Sequence, residues 1–332
     1  MKTNKPQPDE NGWERLFSKI LPGNGVNVTN YMFYRDNVVK VITENGTFIM
    51  KGFESKYECK LQLELSEWFK QYEKPSIGPI GNFPSKKESI KYGEYHWVIM
   101  PFYEGRDLHY GNIDDVRYAA EAIVSFHEQG RVTSELHEQV SEYKLFEKWK
   151  KRLASFKERA QEVEWPKEIA PLLPEIIFWG DYALDEFNHK QYEKLFQSEK
   201  LDCQLCHGDV APHNFLLPRN GEAMLIDYDL ITAAPRVIDW LQFTNRILPF
   251  WKWRYEKIVP ALPDECLQYF KKRWFLQALV FPTDLYREWN RAFSSSSPIS
   301  VDQVTRFTLS DFAHRKNFIK KIINHLEQKQ TG

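Results

Sequence analysis

The sequence predicts an α+β protein of two lobes: a small antiparallel β-sheet lobe carrying one helix, then a larger, mainly α-helical lobe. Three observations carry this. β-rich runs crowd into residues 26–53, and helical periodicity dominates from residue 58 onward, interrupted by one connecting strand and one short hairpin. A chain of 332 residues also exceeds one ordinary domain and suits two. The expected boundaries are a polar tail over 1–25, a sheet lobe over 26–101 and a helical lobe over 102–332. A cleft between two lobes is where ligand sites usually form.

In the first lobe, Val38–Thr43 and Thr47–Lys51 are β-rich and flank Asn45-Gly46, the preferred pair for a two-residue hairpin turn. That register sets Lys40 opposite Lys51, where like charges repel unless an anion lies between them. From Glu58 the period becomes helical, with Leu61, Leu65, Trp68, Phe69 and Tyr72 in one stripe closed by Pro75. Tyr95–Phe102 is strand-like and meets the turn-former Glu104-Gly105. Asp114 and Asp115 open a second helix, with Val116, Ala120, Ile123 and His127 along one side and Gly130 as its stop. Phe146, Trp149, Leu153 and Phe156 keep helical spacing in the charged stretch 142–200. A compact strand–loop–hairpin region follows over 201–239, and then a tryptophan-rich helical remainder, in which Trp251 and Trp253 read as core. Ser294–Ser297 reads as a loop.

Composition excludes several classes. Hydrophobic residues at 42% and aromatics at 15% rule out disorder for most of the chain. Forty-five basic against 46 acidic residues lack the clustered positive excess that nucleic acid or an anionic membrane demands of a main partner. The basic run Lys144–Arg159 is interrupted by Glu147 and Glu158, as on a solvated helix face. Cys59, Cys203, Cys206 and Cys266 are too few for a disulfide framework, and Cys203-x-x-Cys206 has no second pair to complete a zinc site. A polar N-terminus and the lack of any apolar run of about 18 residues lead to the expectation of a soluble, cytoplasmic protein.

The chemistry concentrates in Leu-Cys-His-Gly-Asp-Val-Ala-Pro-His-Asn-Phe-Leu-Leu (205–217) and Met-Leu-Ile-Asp (224–227). If Asn220-Gly221 form the central turn, counting outward sets Asn214 opposite Asp227, with Cβ atoms about 4.5–5.5 Å apart. Two oxygen-bearing side chains at the base of a hairpin make a cradle for Mg²⁺, which favours few protein oxygens plus substrate phosphates. Asp209, just before it, is placed to orient a hydroxyl and accept its proton.

His-Gly-Asp-Val-Ala-Pro-His-Asn-Phe-Leu followed by Leu-Ile-Asp resembles the catalytic core of the aminoglycoside phosphotransferase and choline kinase superfamily, which shares the bilobal protein-kinase-like fold. The resemblance implies a phosphotransferase that moves the γ-phosphate of ATP to a hydroxyl of a small molecule. It makes Asp209 the catalytic base and Asn214 and Asp227 the Mg²⁺ ligands, with His207 and Asp239 as structural support. Upstream, Lys51 resembles the strand lysine that pairs with nucleotide phosphates, and Glu64 its ion-pair partner, with Glu58 as the alternative. Met-Pro-Phe-Tyr-Glu-Gly (100–105) resembles the interlobe linker, whose backbone around Met100 and Phe102 would hydrogen-bond the adenine.

One departure stands out. The family's phosphate loop usually carries glycines, whereas Tyr-Arg-Asp-Asn (34–37) has none, which leaves Arg35 as a side-chain substitute. That loop, the Leu-Cys-His-Gly-Asp run and the later Asp-Trp-Leu-Gln-Phe…Arg-Ile-Leu-Pro-Phe-Trp segment also resemble the spore-coat kinase-like branch. The branch implies an alternative: a pseudokinase with a structural or binding role, spore-coat proteins as partners and the spore coat as location.

Overall fold

Five strands form the antiparallel sheet of the first lobe: β1 Val28–Arg35, β2 Val38–Thr43, β3 Gly46–Phe53, β4 Ile90–Tyr92 and β5 Tyr95–Pro101, in the order β1-β2-β3-β5-β4. The computed structural model describes residues 10–200, 203–219, 221–294 and 299–328. The first nine residues of the predicted tail, Asn220 of the second predicted turn, and residues 295–297 of the serine run lie outside the described residues. Val39, Val41, Met50, Trp97 and Ile99 alternate inward along their strands and bury with Leu16 and Leu21. β4 was not anticipated; its three residues are too few to show a period.

The first hairpin turns one residue earlier than expected. Thr43 faces Gly46, so Lys51 lies opposite Val38 and Lys40 opposite Ile49. The Thr43 hydroxyl accepts the Asn45 N–H and donates to the Gly46 carbonyl, fastening the turn on Glu44-Asn45. The predicted lysine–lysine apposition is therefore absent. Lys40 Nζ instead rests 3.8 Å from the centre of the Phe102 ring.

The helices are α1 Glu10–Arg15, α2 Lys56–Lys70, α3 Ile113–Gln129, α4 Ser134–Gln139, α5 Leu145–Glu162, α6 Leu173–Ala183, α7 Glu186–Lys200, α8 Val237–Ile247, α9 Asp264–Leu267, α10 Arg273–Ala278, α11 Thr283–Ala292 and α12 Val301–Gln328. Ser55 caps α2 by accepting from the Tyr57 and Glu58 N–H groups. Asn112, rather than either expected aspartate, caps α3. Phe69 of α2 stacks on Phe126 of α3 with centroids 5.4 Å apart, joining the lobes. In the second lobe α5 packs on α11, and Trp149 stacks on Phe281 at 4.2 Å. Trp253 is buried, its indole N–H donating to Asp311 of α12 at 2.6 Å.

Five short strands occupy the junction between the lobes: β6 Gly105–Asp107, β7 Leu205–Cys206, β8 Phe215–Pro218, β9 Met224–Leu225 and β10 Thr232–Ala233. They pair as β6-β8-β9 and β10-β7. Among the described residues no helix is long and apolar enough to cross a membrane.

Candidate active site

β7 delivers the chain into the His-Gly-Asp loop, and a fully buried carboxylate fixes that loop. Asp239 Oδ2 accepts the His207 N–H at 2.8 Å and Oδ1 accepts the Gly208 N–H at 2.9 Å. Gly208 sits at φ +78, where a Cβ would meet the Leu230 carbonyl oxygen at 2.2 Å, so only glycine fits. Behind Asp239, His127 Nε2 lies 3.1 Å from Oδ2, while His127 Nδ1 lies 2.6 Å from Glu265. Burial pulls His127 toward neutrality, but the two carboxylates outweigh it and raise its pKa. Burial pushes Asp239 the other way, and His127 outweighs that to hold it below the usual carboxylate range. His207, buried edge-on against Phe126, has its pKa lowered by burial despite Asp239, Asp209 and Asp227 nearby. The buried Cys206 thiol donates to the Pro235 carbonyl at 3.1 Å.

Asp209 follows directly. Its Oδ1 receives Arg246 Nη2 from α8 at 2.5 Å. A single 3₁₀ turn over Pro212–Asn214 folds the chain back so that Asn214 Nδ2 donates to the Asp209 carbonyl at 2.8 Å. With its nitrogen so committed, the amide offers its oxygen to any cation.

The second hairpin departs from the predicted register by one residue. Phe215 faces Leu225 and Leu216 faces Met224, so Asn214 accepts the N–H of Ile226 at 2.8 Å and is not opposite Asp227. The ladder is two pairs long, too short for its turn to dictate alignment. It is set instead by the full burial of Phe215 and Leu225 and by the Leu225 N–H, which donates to the Ser76 carbonyl at 2.9 Å. Asp227 then adopts a left-handed conformation, φ 59 and ψ 63, unusual for a residue with a Cβ. The chain turns there, and the carboxylate reaches the β-sheet lobe.

There it meets Lys51. This buried lysine places Nζ 2.5 Å from Asp227 Oδ1 and 2.7 Å from Asp229 Oδ2. Burial pushes Asp227 upward, but Lys51, with help from Arg35, holds it below the ordinary carboxylate value. Burial raises Asp229, and the neighbouring charge of Asp227 adds to it against the pull of Lys51. Arg35 in the glycine-free loop points to the same place, with Nη1 3.8 Å from Asp227 Oδ2. Asn37 anchors that loop by donating from Nδ2 to the Gly52 carbonyl at 2.9 Å.

The expected Lys51–Glu64 pair does not form. Glu64 binds Lys60 one turn away at 3.1 Å, and Glu58 faces outward. The cap at Ser55 sets the rotation of α2 so that Cys59, Gln62, Leu65 and Ser66 point inward. Gln62 donates to the Tyr228 carbonyl at 3.4 Å, beside the two aspartates. At the linker, Met100 pairs with Ile49 and the Phe102 N–H donates to the Thr47 carbonyl at 3.1 Å. Two residues of this site escaped the sequence. Asp229 was signalled only by a second acid two positions after Asp227. Arg246, thirty-seven residues from its partner, carried no signal.

Asp227 and Asp229 turn carboxylate oxygens toward one cation, the donor type a hard divalent ion such as Mg²⁺ favours. The Lys51 ammonium bridging both carboxylates shows that the position accepts positive charge. The model of a phosphotransferase enzyme family matches residues 34–254, which spans every one of these groups. The chain belongs to that family. No curated protein matches it. Among solved structures, the family member is similar to an aminoglycoside phosphotransferase from Alicyclobacillus acidocaldarius. Identity is 16% and the TM-score 0.73, over 91% of this chain and 93% of that one. A spectinomycin phosphotransferase in complex with ADP and spectinomycin gives 15% and 0.60, over 95% and 98%. A Plasmodium vivax ethanolamine kinase gives 14% and 0.55, over 94% and 92%. These likenesses establish the fold of this phosphotransferase-family chain: bilobal and kinase-like.

Proposed function

We propose that the protein is a Mg²⁺- and ATP-dependent phosphotransferase acting on a hydroxyl of a small molecule. One observation carries the reading. A buried lysine of the sheet lobe meets Asp227 and Asp229 of the helical lobe, beside a loop that ties Asn214 to Asp209. Lys51 and Arg35 hold the nucleotide's phosphates, and the linker around Met100 and Phe102 faces the base. Asn214 and Asp227 hold Mg²⁺, which when bound neutralises phosphate charge. The acceptor oxygen bonds to the γ-phosphorus, the bond from that phosphorus to the β–γ bridging oxygen breaks, and ADP departs. Asp209 takes the hydroxyl proton on Oδ2, since Arg246 occupies Oδ1. Most of the acceleration comes from position and charge, because the protein does little covalent chemistry in such a transfer.

Asp209→Ala should abolish ATP consumption across a panel of hydroxylated metabolites while keeping the stabilisation by Mg-ATP. Wild-type turnover in that variant would remove the assigned base. A second reading, a nucleotide-binding protein without turnover and with a structural role such as a spore coat, is favoured by the glycine-free loop at 34–37 and the missing Lys51–Glu64 pair. It predicts a Mg-ATP thermal shift with no ATP consumed on any acceptor.

A further inference from the structure

Beside Asp209, the helical lobe gathers positive charge around one tyrosine. Tyr143 is fixed by its N–H, which donates to the Ala233 carbonyl at 3.0 Å, directly behind the β7–β10 ladder that feeds the catalytic loop. Lys148 Nζ lies 3.9 Å from the centre of the Tyr143 ring. Arg152, one turn further along α5, is half-buried and donates from Nη1 to the Thr283 hydroxyl at 2.6 Å. Arg152 and the Asp209-bound Arg246 both act electrostatically on Tyr143. One member of the basic run that reads in sequence as a solvated face, Arg152, is therefore half-buried, while Lys148 stays exposed beside it.

Compensation is incomplete. Arg246 has Asp209 and Arg287 has Glu288 at 2.6 Å, whereas Lys148 and Arg152 have no carboxylate partner among the described residues. Burial and the adjacent Arg152 pull the Lys148 pKa down; burial and Arg287 do the same to Arg152. Two neighbouring cations on one helix, one of them half-buried and neither with a carboxylate partner, repel one another unless a ligand supplies the missing charge. Guanidinium groups suit carboxylate and phosphate oxygens, which they bind through paired N–H donors.

We propose that Arg152, Lys148 and Arg246 form an acceptor subsite for a hydroxyl compound carrying its own anionic group, a carboxylate or a phosphate ester. The inference rests on the phosphotransferase reading above and makes it narrower. A cationic amine acceptor such as ethanolamine would meet like charges here. With the anion on Arg152 and Lys148, Arg246 is shared between the acceptor and Asp209 and orients the hydroxyl toward the base.

The test uses the full-length chain saturated with Mg-ADP, whose own thermal shift is recorded first. Gluconate then probes for a carboxylate and glycerol 3-phosphate for a phosphate ester. Glycerol, ethanolamine and potassium chloride of matched ionic strength serve as controls. The expected result is stabilisation by at least one of the two anions at concentrations where the controls do nothing. Lys148→Ala and Arg152→Ala should each weaken that anion's apparent affinity about tenfold or more, about 1.4 kcal/mol, and keep the Mg-ADP shift; Lys148 is exposed enough for its variant to fold. Stabilisation by ethanolamine above either anion, an anion effect equal to that of salt, or unchanged anion affinity in both variants overturns the subsite and spares the kinase reading. Absence of the Mg-ADP shift overturns that reading, and the subsite with it, before any acceptor is added.

Discussion

Replacing Asp239 by asparagine tests how the catalytic loop is held. The carboxylate is fully buried, accepts the His207 and Gly208 N–H groups through different oxygens, and faces His127. An amide keeps one acceptor oxygen and turns an NH₂ toward the other donor. At least one loop N–H then loses its partner, and His127 loses an anion. Breaking a buried, hydrogen-bonded ion pair costs about 3–5 kcal/mol. With about 2.1 cal/mol/K of unfolding entropy per residue, 332 residues give roughly 0.7 kcal/mol/K, so Tm should fall by about 4–7 °C. Scanning calorimetry measures that fall, and amide hydrogen exchange at His207 and Gly208 locates it. A Tm within about 1 °C of wild type, with both amides still protected, would refute the reasoning.

Other perturbations follow from the same geometry. Gly208→Ala forces a Cβ into the Leu230 carbonyl and a left-handed φ costing about 1–2 kcal/mol. Phosphoryl transfer should fall further than the Mg-ATP thermal shift, and equal loss of both would count against a local effect. Lys51→Met leaves Asp227 and Asp229 without their shared cation, so the Tm difference between EDTA and millimolar Mg²⁺ should widen relative to wild type. An unchanged difference would argue against metal binding there. His127, raised above 6.5, contributes fully to stability below that value and its contribution is lost as pH rises through the folded pKa. Asp239 and Glu265, depressed below 3.8 and 4.5, contribute above those values, and theirs is lost as pH falls through the folded pKa. Urea midpoints should therefore peak between about 4.5 and 6.5, and His127→Gln should flatten the decline on the alkaline side.

Local chemistry was enough to set out the two lobes and the chemical character of the site. Asp209, Asn214 and Asp227 lie close along the chain on one strand, loop and short ribbon, and within it the Asn214 amide bonds the Asp209 carbonyl. Lys51 was legible only through the resemblance of Phe-Ile-Met-Lys to the family's strand lysine, and its strand runs on to Phe53. Alignment was not legible, because both hairpin registers were counted from turn residues. The first turn answers to the Thr43 hydroxyl, and the second ribbon to the burial of Phe215 and Leu225 and to a carbonyl at Ser76. Charge partners were still less legible. The Ser55 cap fixes the rotation of α2, which sends Glu64 to Lys60 and Gln62 inward, while Asp227's left-handed backbone gives Lys51 to the helical lobe. Arg246 reaches Asp209 from a helix beyond the whole ribbon, and Lys148 and Arg152 gather at Tyr143 because α5 packs beside it. Coulomb energy depends on distance through space, which packing decides and sequence separation does not encode.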